Sequence, residues 1–256
     1  MITAGVDVGA ATTKAVILNE GNILSYSILP TGGDVVRAAY TVFHKSLAET
    51  GLTPKDVNGV VSTGYGRRSV PFAGKAITEI ACHGKGANFL FPEARMVIDI
   101  GGQDSKVLLI SEKGEIRNFV MNDKCAAGTG RFLEVMADVL DLKVEDLGIV
   151  STRSRKPCSI TSTCTVFAES EIVSLRAQKE AVEDIIAGIH QAVARRVVSM
   201  AKGIGCTDPI VFTGGVAKNA GVRTALESAL NTTLIIPEEP QIVGALGAAI
   251  LARHLN

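Results

Sequence analysis

Hydrophobic positions along this chain fall in short blocks separated by turns rich in glycine and hydroxyls, and these blocks alternate with segments of helical period. Residues 2–8 (ITAGVDV) and 15–19 (AVILN) read as two strands joined by GAATTK, with a third strand over 23–29. Gly32-Gly33-Asp34 then opens a helix in which Val36, Tyr40, Phe43 and Leu47 recur at helical spacing. NGVVST (58–63) is a buried strand ending in the turn Gly64-Tyr65-Gly66-Arg67. Residues 72–92 read as irregular, with Cys82 and His83 in a loop or short helix. Further helices are predicted over 131–140, just after Cys164, over 181–202, 219–230 and 241–254, and further strands over 209–215 and 232–236. The longest helix carries the apolar stripe Ile185, Ile186, Ile189, Val193, Val197 and Met200, with Arg195 and Arg196 off it. Strands alternating with helices make this an α/β chain.

One pattern occurs twice. MVIDIGGQDSKVLLI (96–110) repeats the strand, acidic turn and strand of GVDVGAATTKAVIL, with the apolar-Asp-apolar-Gly core and the lysine before the second strand in register. A spacing of about 90 residues is too long for a solenoid and points to one hairpin used once in each of two domains. Turns of this kind expose successive backbone N–H groups that cradle phosphate oxygens. Asp7 stands at the edge of the first turn, where a carboxylate suits a metal-bound water. The chain has no G-x-x-x-x-G-K-[ST], and its G-x-G pairs lack the third glycine of a dinucleotide fingerprint. Nucleotide binding, if present, takes another route.

The cysteines add a second kind of chemistry. NDKCAAGTGRFLEV (122–135) places Cys125 in a Gly/Ala turn ahead of a helix, and SITSTCTVFAES (159–170) places Cys164 likewise. Unpaired N–H groups at a helix start favour an anionic cluster bound there. Two cysteines are too few for a four-thiolate iron–sulfur cluster, and two chains related by a two-fold axis supply four. Cys82, Cys158 and Cys206 lack this setting and read as structural; Cys158, six residues before Cys164, is the alternative ligand. Glu169 and Glu171, two apart, do not share a helix face and read as helix-start or surface carboxylates. His190 reads as packed or half exposed, and the spacing of the four histidines suggests no metal site.

Composition narrows the class. Of 256 residues 46% are hydrophobic and 20% charged, with zero net charge, so neither nucleic acid nor an anionic membrane is expected as a partner. No apolar run reaches the roughly 18 residues of a bilayer span. The start of the chain has no basic region before its apolar part, and five cysteines without an export signal fit reduced thiols, hence a cytoplasmic setting.

GVDVGAATTK, VIDIGGQDSK and VFTGGVAKN resemble the phosphate-1, phosphate-2 and adenosine motifs of the sugar kinase/Hsp70/actin superfamily. Within it, NDKCAAGTGRF, STCTVFAES, DIIAGIH and STGYGR resemble the activator ATPases of 2-hydroxyacyl-CoA dehydratases, the BadF/BadG/BcrA/BcrD family. The likeness covers the whole chain. It implies a two-domain actin-like (ribonuclease H-like) fold with a duplicated core, nucleotide in a cleft between domains, and boundaries at 1–94 plus 243–256 and at 95–242. It also implies a homodimer with one [4Fe-4S] cluster held by Cys125 and Cys164 of both subunits. ATP hydrolysis would gate a low-potential electron, taken from a ferredoxin or flavodoxin and passed to an iron–sulfur dehydratase or reductase. Ala11, Thr12, Thr13 and Lys14 would meet phosphate, as would Gly101, Gly102 and Gln103. Gly214, Gly215 and Lys218 would frame the adenosine, with Gln241 near the base. Asp7, Asp99 and Asp104 are the candidates for Mg²⁺, through water. Gln103, which orients water without removing its proton, and Asp104 are the candidates for hydrolysis. Arg67 matches the family without a derived role. The rival is a non-redox small-molecule kinase or actin-like scaffold, for which the chain leaves little sequence to build a sugar pocket.

Overall fold

The computed structural model describes residues 1–161 and 164–255. Positions 162 and 163 of the second cysteine segment and position 256 of the expected first domain lie outside the described residues. Contacts divide the chain into two units, Met1–Val97 with Leu108–Asn118 and Pro237–Asn256, and Ile98–Val107 with Phe119–Ile236.

The first unit is built on a five-stranded sheet of β1 (Ile2–Val8), β2 (Thr12–Asn19), β3 (Asn22–Pro30), β4 (Gly59–Thr63) and β5 (Lys75–Ala76), in the order β3-β2-β1-β4-β5. β1, β2 and β3 pair antiparallel, whereas β4 runs parallel to β1 and β5 to β4. Strand alternation sends Ala15 and Ile17 to one face, against helix α1 (Val35–Ala48), and Val16 and Leu18 to the other. There they meet Leu246, Ala245 and Ala249 of α8 (Val243–Leu251). Each fully buried aliphatic side chain of this kind contributes about 2 kcal/mol. Asp34 caps α1, accepting from the Arg37 amide at 2.9 Å.

The buried face of α1 is Ala38, Ala39, Val42, Phe43, Ser46 and Leu47. Val36 and Tyr40, expected on that stripe, are 36% and 40% exposed. The sheet takes small residues one position along, and the Tyr40 ring instead lies at the margin on Phe72, centroids 4.8 Å apart.

Residues expected to be irregular form helix α2 (Glu79–Leu90), with Cys82, His83, Gly84, Gly86 and Ala87 buried. Two glycines lower intrinsic helix propensity by roughly 1 kcal/mol each, which hides the helix from a sequence reading. Their purpose is close packing. A Cβ on Gly86 would lie 3.1 Å from the Gly247 amide of α8, and one on Gly247 would land on the carbonyl of Cys82.

A second sheet has the order β8-β7-β6-β9, from β8 (Ile116–Asn122), β7 (Ser105–Ile110), β6 (Met96–Ile100) and β9 (Ile210–Thr213). β8 was not foreseen. In the second unit lie α3 (Gly130–Val139), the short α4 (Leu147–Ser151), α5 (Thr165–Ala177), α6 (Val182–Gly203) and α7 (Ala220–Leu230). All six stripe residues of α6 are buried, as its period requires. The strand expected over 232–236 is reduced to one parallel bridge, Ile235 with Val211, closed off by Pro237. Gly247→Ala is expected to lower stability by roughly 3 kcal/mol or more, because the clash is with backbone; a urea midpoint equal to wild type would contradict this packing.

Candidate functional site

The two copies of the repeated hairpin build the same pair. In the first, Asp7 and Lys14 are opposite each other across β1 and β2 and meet at 3.4 Å. In the second, Asp99 on β6 meets Lys106 on β7 at 3.1 Å. The seven-residue Asp–Lys spacing is therefore a contact in both units.

The second copy is the more elaborate. The Lys106 ammonium, buried, also reaches Asp104 at 2.8 Å, so the cation between these two carboxylates is a lysine. The other oxygen of Asp99 accepts the Thr213 hydroxyl at 2.9 Å. Two carboxylates against one ammonium leave one net negative charge beside the turn. Gly214, at the end of β9, has φ 86°. A Cβ there would strike the Ile100 carbonyl, so glycine is required on both counts. The turn between β6 and β7 puts Gly101 and Gly102 half-buried and Gln103 exposed, with the Gly101 amide bonded to the Asp104 carbonyl at 2.9 Å.

In the first unit the turn after β1 leaves Ala11 exposed and Thr12 partly so. Thr13, one residue on, faces inward: its hydroxyl lies 2.9 Å from that of Thr31, which donates to the Gly9 carbonyl. Of the two threonines, Thr12 alone offers a hydroxyl to solvent. Gly244 passes beside Asp7 and His83, where a Cβ would lie 3.2 Å from Asp7 Oδ2 and 2.9 Å from His83 Nε2. The Gln241 amide donates to Glu239 at 3.0 Å. Gly215 and Lys218 are exposed in the second unit.

Both candidate cluster thiols are exposed. Cys164 is the residue at the N-cap of α5. Cys125 sits in the turn before α3, where the Asn122 side-chain amide donates to the carbonyls of Cys125 and Ala127 at 2.8 and 3.0 Å. The first turn of α3 is tied to the turn after β6: the amides of Gly130 and Arg131 donate to the Gly101 and Gly102 carbonyls at 2.8 and 2.7 Å. Cys125 is thus joined to the phosphate-type turn by a handful of residues. Among the described residues no cluster of three or more His, Cys, Asp or Glu could hold a metal ion. A pair of exposed thiols does fit a cluster shared with a second copy. Beside Cys164, Val166, Phe167 and Val173 of α5 are exposed, Phe167 at 67%.

The remaining cysteines differ in kind. Burial pushes the Cys82 thiol up to about 12, and burial also raises Cys158 and Cys206 above the ordinary thiol value. Glu171, read as a surface carboxylate, instead accepts from the amide and hydroxyl of Thr161 at 3.0 Å. Lys106, Thr213 and Glu171 were not singled out; only Lys106 left a signal, in its spacing from Asp99.

His190 on α6 is 1% exposed, and neither ring nitrogen has a partner among the described residues. It borders a cavity of about 480 Å³ with Ser151, Gln191, Arg195 and Gly221. Burial lowers its pKa from 6.5 to about 4, so the folded state binds this proton less well than the unfolded one. Its contribution is complete above pH 6.5 and is lost as pH falls toward 4, by up to ~3 kcal/mol. Urea midpoints measured across this range are expected to fall with pH in wild type and less steeply in His190→Leu; parallel curves would refute the assignment.

Residues 4–252 match the BadF/BadG/BcrA/BcrD ATPase family. The 2-hydroxyisocaproyl-CoA dehydratase activator of Clostridioides difficile is 48% identical over 252 residues, 98% of this chain and 95% of that protein. A solved structure described as the activator of the 2-hydroxyisocaproyl-CoA dehydratase from Clostridium difficile with bound ADPNP superposes with a TM-score of 0.93 at 47% identity, covering 98% of this chain and 94% of that one. A ROK family glucokinase from Streptomyces griseus shares the fold alone, at 14% identity and a TM-score of 0.62 over 99% of each chain.

Proposed function

The chain belongs to the BadF/BadG/BcrA/BcrD ATPase family and has its actin-like fold, and from this we propose that it is an ATP-driven donor of single electrons to an iron–sulfur dehydratase or reductase. The observation that carries the proposal is the pair of exposed thiols, Cys125 and Cys164, each at the approach to a helix. The relatives named as dehydratase activators support the partner class.

In this reading two copies pair with their α5 helices together, covering Val166, Phe167 and Val173 and bringing four thiols to one [4Fe-4S] cluster. When bound, that cluster supplies the low-potential electron, received from a ferredoxin or flavodoxin. The protein's own residues do the rest. Backbone amides at Ala11, Thr12, Gly101 and Gly102, with the Thr12 hydroxyl and Lys14, hold the phosphates of ATP. Gly214, Gly215 and Lys218 frame the adenosine, and Gln241 stands near the base. Thr13 serves through its backbone, since its hydroxyl is committed to Thr31. Asp7, Asp99 and Asp104 attract hydrated Mg²⁺ through the negative charge that Lys106 leaves uncompensated. Gln103, the exposed side chain of its turn, orients the attacking water, with Asp104 behind it.

Hydrolysis without a strong base is slow until the turn is correctly formed, which suits a reaction that must wait for an electron partner. The α3 amides bonded to Gly101 and Gly102 pass the state of that turn to the Cys125 arm. No helix among the described residues is long and apolar enough to cross a membrane, and the proposed setting is the cytoplasm.

The test is iron and acid-labile sulfide after strictly anaerobic purification. About two of each per chain are expected, with loss of both in Cys125→Ala and in Cys164→Ala. A colourless, iron-free protein that still hydrolyses ATP after attempted cluster reconstitution would overturn the proposal.

A further inference from the structure

The segment leading to Cys164 is fastened more heavily than a surface loop requires. Residues 154–161 run from the end of α4 toward Cys164, and exposed backbone in such a stretch is ordinarily satisfied by water. Here one carboxylate oxygen takes three of its donors. Asp184 Oδ1, in the first turn of α6, accepts from the Ser154 hydroxyl at 2.7 Å and from the amides of Arg155 and Lys156 at 2.8 and 3.0 Å. The backbone carbonyl of Asp184 accepts the Cys158 amide at 2.9 Å. Farther along α6, Arg195 Nη2 donates to the Ile160 carbonyl at 2.6 Å, and Ile160 itself is buried. Gly188, between these two pins, has no side chain because the Cys158 carbonyl lies where its Cβ would be. Glu171 then binds Thr161 from α5.

The other end of the segment is equally committed. It continues from α4, whose Gly148 packs on the cap of α7: a Cβ there would lie 3.2 Å from both Asn219 Oδ1 and the Ala220 amide. Asn219 closes the turn that starts at Gly214 and caps α7 by accepting from the Val222 amide at 3.1 Å. The Ser151 hydroxyl donates back to the Gly148 carbonyl at 2.9 Å. Every contact in this series lies within the second unit.

We propose that residues 154–161 are a strap that fixes the Cys164 arm rigidly to the Gly214–Asn219 turn, with Asp184 and Arg195 as its positioning residues. The strap makes the thiol move with that turn, so that nucleotide in the turn sets how far a cluster at Cys164 is exposed. The hydrogen bond from Ser154 and the Lys156 amide hold the Asp184 carboxyl below its ordinary range, keeping the pin ionised at neutral pH. This inference rests on the reading of Cys164 as a cluster ligand, and the test separates the two.

In the chain without iron, amide hydrogen exchange at Arg155, Lys156 and Cys158 is expected to be about tenfold faster in Asp184→Ala than in wild type, with Asp184→Asn, which keeps an acceptor oxygen, close to wild type. In the anaerobically purified dimer, removal of iron by a bathophenanthroline chelator is expected to differ between ADP and ADPNP in wild type and in Asp184→Asn. That difference is expected to vanish in Asp184→Ala and in Arg195→Met, the latter a rim substitution that spares the fold. Unchanged exchange in Asp184→Ala, or a preserved nucleotide difference in Arg195→Met, overturns the strap. A wild-type chain without iron overturns the cluster reading instead, while exchange still decides the pins.

Discussion

The Lys106 ammonium, buried between Asp99 and Asp104, is the interaction on which the second unit depends. Charges removed from water must be compensated at close range, and removing one partner of such a group costs several kcal/mol. Lys106 meets that demand at 3.1 and 2.8 Å while Thr213 takes the remaining direction of Asp99. The result is a turn with little freedom, closed by the Gly101–Asp104 bond and presenting the Gly101 and Gly102 carbonyls outward. Those carbonyls receive the first amides of α3, so the helix beyond Cys125 starts where the turn dictates. A rearrangement of charge at this turn cannot leave the Cys125 arm unaffected.

The Cys164 arm reaches the nucleotide elements by a different construction. It depends on the glycine that ends β9, on the Asn219 cap, on the Gly148 contact, and on hydrogen bonds to α6. Neither arm contains a swollen loop that could absorb a displacement. Two thiols carried by two short, stiff connections to two nucleotide turns form a plausible geometry for exchanging the energy of ATP hydrolysis against the exposure and fit of a redox centre. The same logic explains why the thiols are exposed in the chain alone: a centre shared between copies is finished only by assembly.

Much of this was legible in the sequence because the signals were local. The repeated Asp-to-Lys interval is a cross-strand contact in both units, and the stripe of α6 is buried throughout because its period is long and unbroken. The failures share another cause. α2 was hidden by Gly84 and Gly86, whose value lies in packing against α8, over 150 positions later in the chain. Val36 and Tyr40 fit a helical stripe, yet the sheet selected the small residues beside them. Ile235 makes its pairing at a single bridge, too little to register as a strand. Glu171 looked like a surface carboxylate because its partner, Thr161, is ten residues away across an irregular segment. Positions set by local period were readable, and positions set by a distant backbone were not.

The central claim is a redox centre shared by two copies of this chain, and native mass spectrometry of the anaerobically purified protein tests it most directly. The account predicts a dimer carrying one four-iron, four-sulfide increment, with Cys164→Ala lacking that increment. A monomer that retains a complete cluster, or a dimer with one cluster in each chain, would contradict it.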